Sequence, residues 1–320
     1  MIIAWVVGST GLLGSALCRA LCGKETQLFS PTERFLWSNE PELASQLTAT
    51  VKAFAACIDA TVGRWEIYWA AGLGTMSSAE ADLALETQAL SLLLRLVDSE
   101  PRLMAMPGAV AFTSSAGAIY AGSPDYVINE NSDPAPTTAY AYEKLRQEDL
   151  VRSFALTNKQ IAVLLARLST LYGPGQSVGK QQGLFAHIAR CILRNQPIQI
   201  YVPFDTIRDY IAADDAATIM VSTLRATSDK PGVLTKIIAS EQPTTIAEII
   251  SVFKRIARRA PRIITSASRL SSIYSRRVRF QSVVIPECSR VPQTSLLVGI
   301  SQVMAAERAA FVRGLGEILK

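Results

Sequence analysis

Apolar and polar positions follow two different periods along the first half of this chain. Short, largely apolar runs such as Ile2–Val7 are typical of strands that are buried on both faces of a parallel sheet. Between these runs, apolar residues recur every three or four positions, which predicts amphipathic helices. The predicted strands are 2–7, 27–29, 65–71, 109–113 and 161–166, and the predicted helices are 12–21, 41–61, 81–97 and 139–156. Strands that alternate with helices favour an α/β fold with a doubly wound parallel sheet.

The pattern loosens after about residue 175. Short helices at 184–193, 245–259 and 301–319 mix there with short strands at 198–202 and 234–239. A chain of 320 residues is long enough for two domains. We therefore expect a main α/β domain over residues 1–175 and a smaller α/β lobe over residues 176–320, allowing for strands of the lobe that return to the main sheet.

The composition favours a folded protein outside the membrane. Hydrophobic residues make up 49 % and charged residues 18 % of the chain, which excludes a disordered protein. No apolar run reaches the ~18 residues that a membrane-spanning helix needs, and the N-terminus lacks a cationic leader. We expect a cytoplasmic protein with no membrane partner. The five cysteines have unrelated spacings and there is one histidine, so we expect reduced thiols and no metal site.

Three glycines, Gly8, Gly11 and Gly14, separate the first predicted strand from the first predicted helix. A glycine turn lets the backbone approach a pyrophosphate, and the helix N-terminus offers free N–H groups to it. The spacing is G-x-x-G-x-x-G, a variant of the glycine pattern of Rossmann-type domains. We expect the first domain to bind a dinucleotide.

The residues after the second predicted strand bear on which dinucleotide binds. An NAD site usually has Asp or Glu there, whereas this chain has Ser30, followed by Arg34. The missing carboxylate removes repulsion against a 2′-phosphate, and a guanidinium pairs with one. We therefore favour NADP as the cofactor, with NAD as the alternative if Arg34 is an ordinary surface residue.

Tyr140 and Lys144 are four residues apart in a predicted helix, so they share one face. A free phenol has a pKa of about 10, and a nearby ammonium group lowers it by stabilising the phenolate. The pair therefore predicts a proton shuttle for alcohol or ketone chemistry beside a nicotinamide.

These motifs occur in an ordered set with others. The set comprises "GSTGLLG", "WAAG", "SSAGAIYAG", "AYAYEK", "ARLSTLYGPGQ" and "IRDYIAADDAA". In this order they resemble the extended short-chain dehydrogenase/reductase family, in its NAD-dependent epimerase/dehydratase group, whose members mostly act on nucleotide-activated sugars.

The resemblance implies roles for residues in the first domain. Tyr140 would be the acid/base, and Lys144 would hold the nicotinamide ribose and tune the tyrosine. A family serine would polarise the substrate oxygen; its usual place falls on Ala116, and we choose Ser115 over Ser114. The residues implied for the cofactor are Gly8, Ser9, Thr10, Gly11, Leu12, Leu13 and Gly14 at the diphosphate, Ala70, Ala71 and Gly72 on the ribose side, and Ser30, Arg34, Tyr140 and Lys144.

The resemblance also implies where a nucleotide-sugar substrate binds. Ser114 and Ser115 would lie near the sugar. Gly183 and Leu184 match the family stretch that contacts the nucleotide through its main chain. Arg208 matches the family arginine at the diphosphate, unless it pairs instead with Asp209 or Asp214.

The same comparison narrows the reaction. Family 4,6-dehydratases carry an Asp-Glu pair where this chain has Ala116–Ala118, and family 3,5-epimerase/reductases use a cysteine near Ala118. Hydride chemistry at one carbon remains, either as a 4-epimerase or as a 4-ketoreductase, and the preference for NADP favours the reductase. A catalytically silent dinucleotide-binding sensor or scaffold on the same fold is the alternative.

Two further features bear on partners. Nine basic residues and no acidic residue lie between Lys254 and Arg279, which fits a solvated face, a nucleic-acid patch or a wall of a pocket for an anionic small molecule. Few aromatic residues interleave with them, so we expect no nucleic-acid partner. The helices at 81–97 and 139–156 correspond to the pair that often forms a family dimer interface, so we expect a homodimer, although a core role explains their apolar faces equally well.

Overall fold

The computed structural model describes residues 1–72, 74–76, 78–176, 183–258, 261–265 and 277–318 of the chain. Strands and helices alternate over its first half, as the apolar pattern predicts. The strands are β1 Ile2–Val7, β2 Thr26–Phe29, β3 Arg64–Trp69, β4 Gly108–Ser115, β5 Ile161–Leu168, β6 Thr170–Tyr172, β7 Ile198–Ile200, β8 Ile207–Ala212, β9 Gly232–Ile238, β10 Pro243–Thr245 and β11 Ile263–Thr265. The helices are α1 Leu12–Leu21, α2 Glu40–Ala56, α3 Glu80–Asp98, α4 Pro101–Met104, α5 Ala116–Ile119, α6 Ala139–Thr157, α7 Leu184–Leu193, α8 Ala213–Thr227, α9 Ile246–Ala257, α10 Pro286–Ser289 and α11 Leu296–Ile318.

Six parallel strands form the main sheet, in the order β2-β1-β3-β4-β5-β9. Its central strands are largely apolar because helices cover both faces, and every residue of β5 is buried. From β1 the chain runs to β2 on one side and then crosses to β3 on the other. The order therefore reverses between β1 and β3, which is where open α/β sheets bind their ligands. The predicted doubly wound α/β fold is confirmed.

The two faces of the sheet carry separate apolar cores. Helices α2, α3 and α6 pack on one face, where Leu47 of α2 and Leu90 of α3 are buried against the strands. Helices α1 and α8 cover the other face and pack against each other. Each helix thus buries the apolar stripe from which it was predicted, except α8, which the sequence pattern did not predict.

The chain returns to the main sheet after residue 175. Strand β9 pairs with β5 from Gly232 to Ile238 as the sixth strand, and α8 precedes it on the α1 face. The other late elements form a smaller unit, with sheets β10-β8-β6 and β11-β7 and a core from α7, α9 and α11. Among the helices within the described ranges, none is both long and apolar enough to cross a bilayer.

Candidate active site

The turn from β1 to α1 is built to bring backbone close to backbone. Gly8 has a φ of +84°, a conformation that favours glycine, and a Cβ there would lie 2.7 Å from the Cα of Ala71. A Cβ on Gly14 would lie 2.0 Å from the carbonyl oxygen of Gly8. Gly11 is the N-cap of α1 and supplies no capping side chain, so the first-turn N–H groups of α1 are available for a ligand. The glycines thus allow close packing of the backbone in the turn of residues 8–14, which we call the cradle.

The cradle faces the end of β3 across the point where the strand order reverses. The Ala70 N–H donates to the Val7 carbonyl at 2.9 Å, which places 70–72 beside the glycine turn. Ser9 and Thr10 are exposed at the tip of the turn, and Leu13 is buried in the α1 core. Leu13 therefore has only its main chain to offer to a phosphate, as has Leu12, which packs at the edge of the same core. The structure brings the predicted cofactor residues of β1, α1 and β3 together.

The predicted 2′-phosphate residues lie beyond the end of β2. Ser30 and Arg34 are both exposed. The Gln46 amide of α2 fixes the backbone of this segment by donating to the Arg34 carbonyl at 3.2 Å and accepting from the Leu36 N–H at 2.9 Å. The backbone that carries Arg34 is thus fixed by α2 at the edge of the sheet.

Tyr140 and Lys144 lie on one face of α6, toward the carboxyl end of β4. Thr138 caps the helix by accepting from the Ala141 N–H. The Lys144 Nζ lies 5.7 Å from the ring centroid of Tyr140 and 5.4 Å from that of Phe112. Tyr142, the other tyrosine of this turn, is 61 % exposed on a different face.

Of the two predicted serines, the structure brings Ser115 to Tyr140. Ser115 ends β4 and caps α5, and a hydrogen bond from its side chain favours the Tyr140 phenolate and lowers the pKa of that group. Ser114 points the other way: its side chain is buried and donates to the Glu148 carboxylate at 2.7 Å. Ala116, where the family serine usually stands, is fully buried. Successive strand residues face opposite sides, which is why only one of the two serines reaches the tyrosine.

The overall pKa of Tyr140 differs from the sequence-based expectation. Lys144 was expected to lower it, but the pKa is raised, first because the phenol is buried and second because the Glu86 carboxylate lies nearby. Lys144 is held by other acceptors: its Nζ donates to Gln147 Oε1 at 2.9 Å and lies 4.0 Å from Glu86 Oε2. The Glu86 carboxylate therefore opposes the effect that the Lys144 ammonium would have on the pKa of Tyr140.

Glu86 is the site residue that the sequence-based interpretation missed. Its side chain, 14 % exposed, also accepts a hydrogen bond from the Gly74 N–H, in the segment that follows β3. Leu83, Thr87 and Leu90 of α3 are buried around it. The sequence did contain a signal for Glu86, since it lies among the apolar positions of the buried face of α3. A carboxylate at such a position indicates a side chain that faces inward.

The residues predicted for the substrate lie on the smaller unit. Gly183 caps α7 with a φ of +122°, and Leu184 begins that helix. Arg208 lies in β8, and its guanidinium donates to the Ile207 carbonyl at 3.1 Å. Of the carboxylates considered as its partners, Asp209 accepts from Ser240 and Asp214 from Arg19.

The basic stretch of 254–279 is described only in part, since 259–260 and 266–276 lie outside the described residues. Of its last members, Arg277 forms a β-bridge with Ile207, the neighbour of Arg208, and Arg279 lies over Tyr126 with 5.2 Å from its guanidinium carbon to the ring centroid. In the described ranges, no cluster of three or more His, Cys, Asp or Glu residues suits a metal ion. The described residues thus bring a tyrosine, a serine, a lysine and a carboxylate together at the carboxyl ends of β3 and β4.

The chain matches a family model and several known proteins. The family model for the NAD dependent epimerase/dehydratase family matches residues 4–235. The chain is 32 % identical over 125 residues to dTDP-L-rhamnose 4-epimerase from Burkholderia thailandensis, covering 38 % of this chain and 33 % of that protein. It is 30 % identical over 117 residues to dTDP-4-dehydro-6-deoxyglucose reductase from Escherichia coli, covering 36 % of each. The matches span about a third of the length of these curated relatives.

A solved structure extends the likeness to the whole fold. RMD from Pseudomonas aeruginosa, in complex with NADPH, superposes with a TM-score of 0.75 over 96 % of this chain and 99 % of that one. The two sequences are 20 % identical, so this match establishes a shared fold.

Proposed function

Because the chain belongs to the NAD-dependent epimerase/dehydratase family, we propose that it transfers hydride at one carbon, C4, of a nucleotide-activated sugar, using NAD(P). The family match also confirms the resemblance drawn from the motifs. Both curated relatives carry names of enzymes that act at position 4 of a dTDP-sugar, one by epimerisation and one by reduction. That shared position supports C4 as the reacting carbon.

The observation that carries the proposal is the meeting of Tyr140, Lys144 and Ser115 at the end of β4. The Ser115 hydroxyl bonds to the Tyr140 phenol, and a carbonyl or alcohol oxygen of a substrate placed between them would contact both groups. Tyr140 gives its proton to that oxygen in reduction and takes one in oxidation. Lys144 lies over the tyrosine ring, on the same helical face.

The residues present fit a dinucleotide. Its diphosphate would lie on the turn of residues 8–14, where Gly8 and Gly14 allow the backbone segments to approach one another closely, and its nicotinamide ribose would lie against Lys144. A bound nicotinamide supplies the hydride acceptor or donor that no side chain can provide. Ser30 and the exposed Arg34 support NADP over NAD.

Between the two reactions, the proposal favours a 4-ketoreductase over a 4-epimerase. An epimerase returns the hydride to the same substrate and draws on no reducing pool, whereas a reductase consumes reduced cofactor. A site suited to NADP therefore points to net reduction. Arg208 would hold the diphosphate of the substrate, with main-chain groups of Gly183 and Leu184 at the nucleotide.

The proposal extends to assembly and compartment. We propose a homodimer through α3 and α6, which pack together and expose Leu85 and Leu156. All five cysteines are free, which supports a reducing compartment such as the cytoplasm.

The test is the Tyr140→Phe variant. Purified protein is assayed with reduced dinucleotide and a panel of nucleotide 4-ketosugars, and with nucleotide sugars for epimerisation. We expect Tyr140→Phe to lose about 10²- to 10⁴-fold in kcat while dinucleotide affinity stays within about threefold, because only the proton donor is removed. Tyr142→Phe, on the exposed face of the same helix turn, should keep wild-type activity.

Full activity of Tyr140→Phe would end the proton-shuttle proposal. The alternative, a silent dinucleotide-binding sensor or scaffold, predicts that the wild type binds dinucleotide and turns over no sugar of the panel. Mass spectrometry of small molecules retained by the purified protein distinguishes these cases, since a co-purified nucleotide sugar would support the enzyme.

A further inference from the structure

A carboxylate lies beside the lysine that would hold the nicotinamide ribose. Glu86 Oε2 is 4.0 Å from Lys144 Nζ, and the two side chains are 14 % and 7 % exposed. The other carboxylate oxygen of Glu86 accepts the Gly74 N–H, so the backbone after β3 fixes the carboxylate in place. This arrangement joins α3, α6 and the cofactor crevice at one point.

Three further side chains take part in the contacts that the structure describes around this pair, namely Gln147, Thr87 and Glu143. Gln147 accepts from Lys144 and donates to Thr87 Oγ1 at 3.0 Å, and the Thr87 hydroxyl donates to Glu143. Within the described residues, the charged side chains that these contacts place around the pair are Glu86 from α3 and Lys144 and Glu143 from α6. Glu143 is engaged by α3 through Thr87, one residue beyond Glu86.

The charge of Glu86 acts on the reacting centre. It is the second cause, after burial, of the raised pKa of Tyr140. Because Glu86 lies 4.0 Å from Lys144, the carboxylate and the ammonium oppose each other's charge in this region. A low-exposure site screens such charges weakly, so an imbalance there would be felt over several ångströms.

We propose that Glu86 is a positioning residue that balances the charge of Lys144 and thereby sets how the site divides its affinity between oxidised and reduced dinucleotide. The oxidised nicotinamide ring carries a positive charge that the reduced ring lacks. An unbalanced ammonium beside the ring disfavours the oxidised form, and an unbalanced carboxylate favours it. The inference rests on the proposed function, because it takes the nicotinamide ribose to lie against Lys144.

The experiment measures the dissociation constants of NADP⁺ and NADPH for four proteins: wild type, Glu86→Gln, Lys144→Met and the double variant. The quantity of interest is the ratio of the two constants, oxidised over reduced. Glu86→Gln is isosteric and keeps an oxygen acceptor for the Gly74 N–H, so it removes charge with little change in shape. Asp82→Asn, on the exposed face of the same helix, is the control for loss of a negative charge.

We expect Glu86→Gln to raise the ratio about fivefold, Lys144→Met to lower it by a similar factor, and the double variant to return it to within about twofold of wild type. Asp82→Asn should leave it within about twofold. A purely structural role for Glu86 moves both constants together and leaves the ratio unchanged.

Two results would overturn the inference. An unchanged ratio in Glu86→Gln, with both forms still bound, removes the role of Glu86 and leaves the proposed function standing. Failure of the wild type to bind either dinucleotide removes both. If Glu86→Gln does not fold, Lys144→Met carries the test through the opposite sign, and a ratio that it leaves unmoved sinks the charge-balance account.

Discussion

At the scale of single residues, the proposed preference for NADP depends on the residues expected at the adenosine ribose. Arg34 is exposed on a segment that Gln46 holds by its backbone, and no carboxylate stands at Ser30. A guanidinium in that place would form a charge-assisted hydrogen bond with a 2′-phosphate. Its contact with a 2′-hydroxyl would be weaker.

We therefore expect Arg34→Ala to weaken NADP binding about tenfold and to leave NAD binding within about twofold. Titration of the protein with each dinucleotide, followed by fluorescence or calorimetry, gives both constants. Lys52→Ala, which removes an exposed cation from α2, is the matched control and should change neither. An equal loss for the two dinucleotides would mean that Arg34 does not read the 2′ position.

Whether the sequence reveals the role of a residue depends on whether its partner lies on the same helix. Lys144 was identified because a spacing of four from Tyr140 has a chemical meaning. Glu86 and Glu148 stand on the buried stripes of α3 and α6 in the same way, but their partners come from other elements. The contact of Glu148 with Arg167 of β5 at 2.7 Å and that of Glu86 with Lys144 depend on how helices pack on the sheet, which spacing along one helix does not reveal.

At the scale of elements, the glycine turn between β1 and α1 is held to a narrow geometry. The φ of +84° at Gly8 disfavours any side chain, and the space that a Cβ would need is occupied by the backbone of Ala70 and Ala71. Backbone atoms cannot swing aside as the end of a flexible side chain can. A substitution there must separate β1 from the end of β3.

We expect Gly8→Ala to destabilise the protein by about 1–3 kcal/mol and to weaken dinucleotide binding more than tenfold, because the cradle is displaced. Urea denaturation and dinucleotide titration measure the two effects. Gly23→Ala is the control, since a Cβ at Gly23 meets nothing within 4 Å. Wild-type dinucleotide affinity in Gly8→Ala would show that the turn is not where the diphosphate binds.

Element bounds were predicted well where a period was uninterrupted and poorly where local turns compete. The predictions for β1, α1 and α7 match the observed bounds. The helix predicted for 41–61 ends at Ala56 instead, and the Asp59 carboxylate then accepts the Thr61 N–H at 2.7 Å in a turn. An Asp side chain that bonds to the backbone in this way competes with helix formation, and the spacing of apolar residues does not reveal this competition.

Other differences arise from packing between distant parts of the chain. Helix α8 went unpredicted, although its apolar residues between Ala216 and Leu224 are buried against α1 and the sheet. A strand was predicted at 234–239, and the sequence left open whether it returns to the main sheet; in the structure, β9 pairs with β5. The sequence predicts that a strand exists, but which sheet it joins depends on which edge is open when the chain returns.

At the scale of the whole molecule, titrating groups are buried in both parts of the fold, and they link stability to alkaline pH. Burial raises the pKa of Tyr172 to about 12, with the Asp215 charge as the second cause, and burial raises that of Tyr210 to about 12. Burial lowers the pKa of Lys236, whose ammonium donates to Ser282 and to two backbone carbonyls. These groups act in opposite senses as pH rises.

The tyrosines keep their protons in the native state between pH 10 and 12, where the unfolded chain loses them at about pH 10. The unfolded state then binds fewer protons, so stability falls with rising pH across that window. Lys236 loses its proton in the native state before the unfolded state does, so its contribution rises with pH up to about 10.5. The free energy of unfolding should therefore begin its steep decline only above about pH 10.

Tyr172→Phe tests this linkage. The substitution removes one group that titrates differently in the native and unfolded states. The unfolding free energy should therefore decline less steeply between pH 10 and 12, by up to about 1.4 kcal/mol per pH unit. Urea denaturation at a series of pH values gives the slope for the variant and for the wild type. Tyr142→Phe, at an exposed position, should reproduce the wild-type slope. Parallel declines for Tyr172→Phe and the wild type would mean that this phenol titrates alike in both states, and that the decline has its origin elsewhere in the molecule.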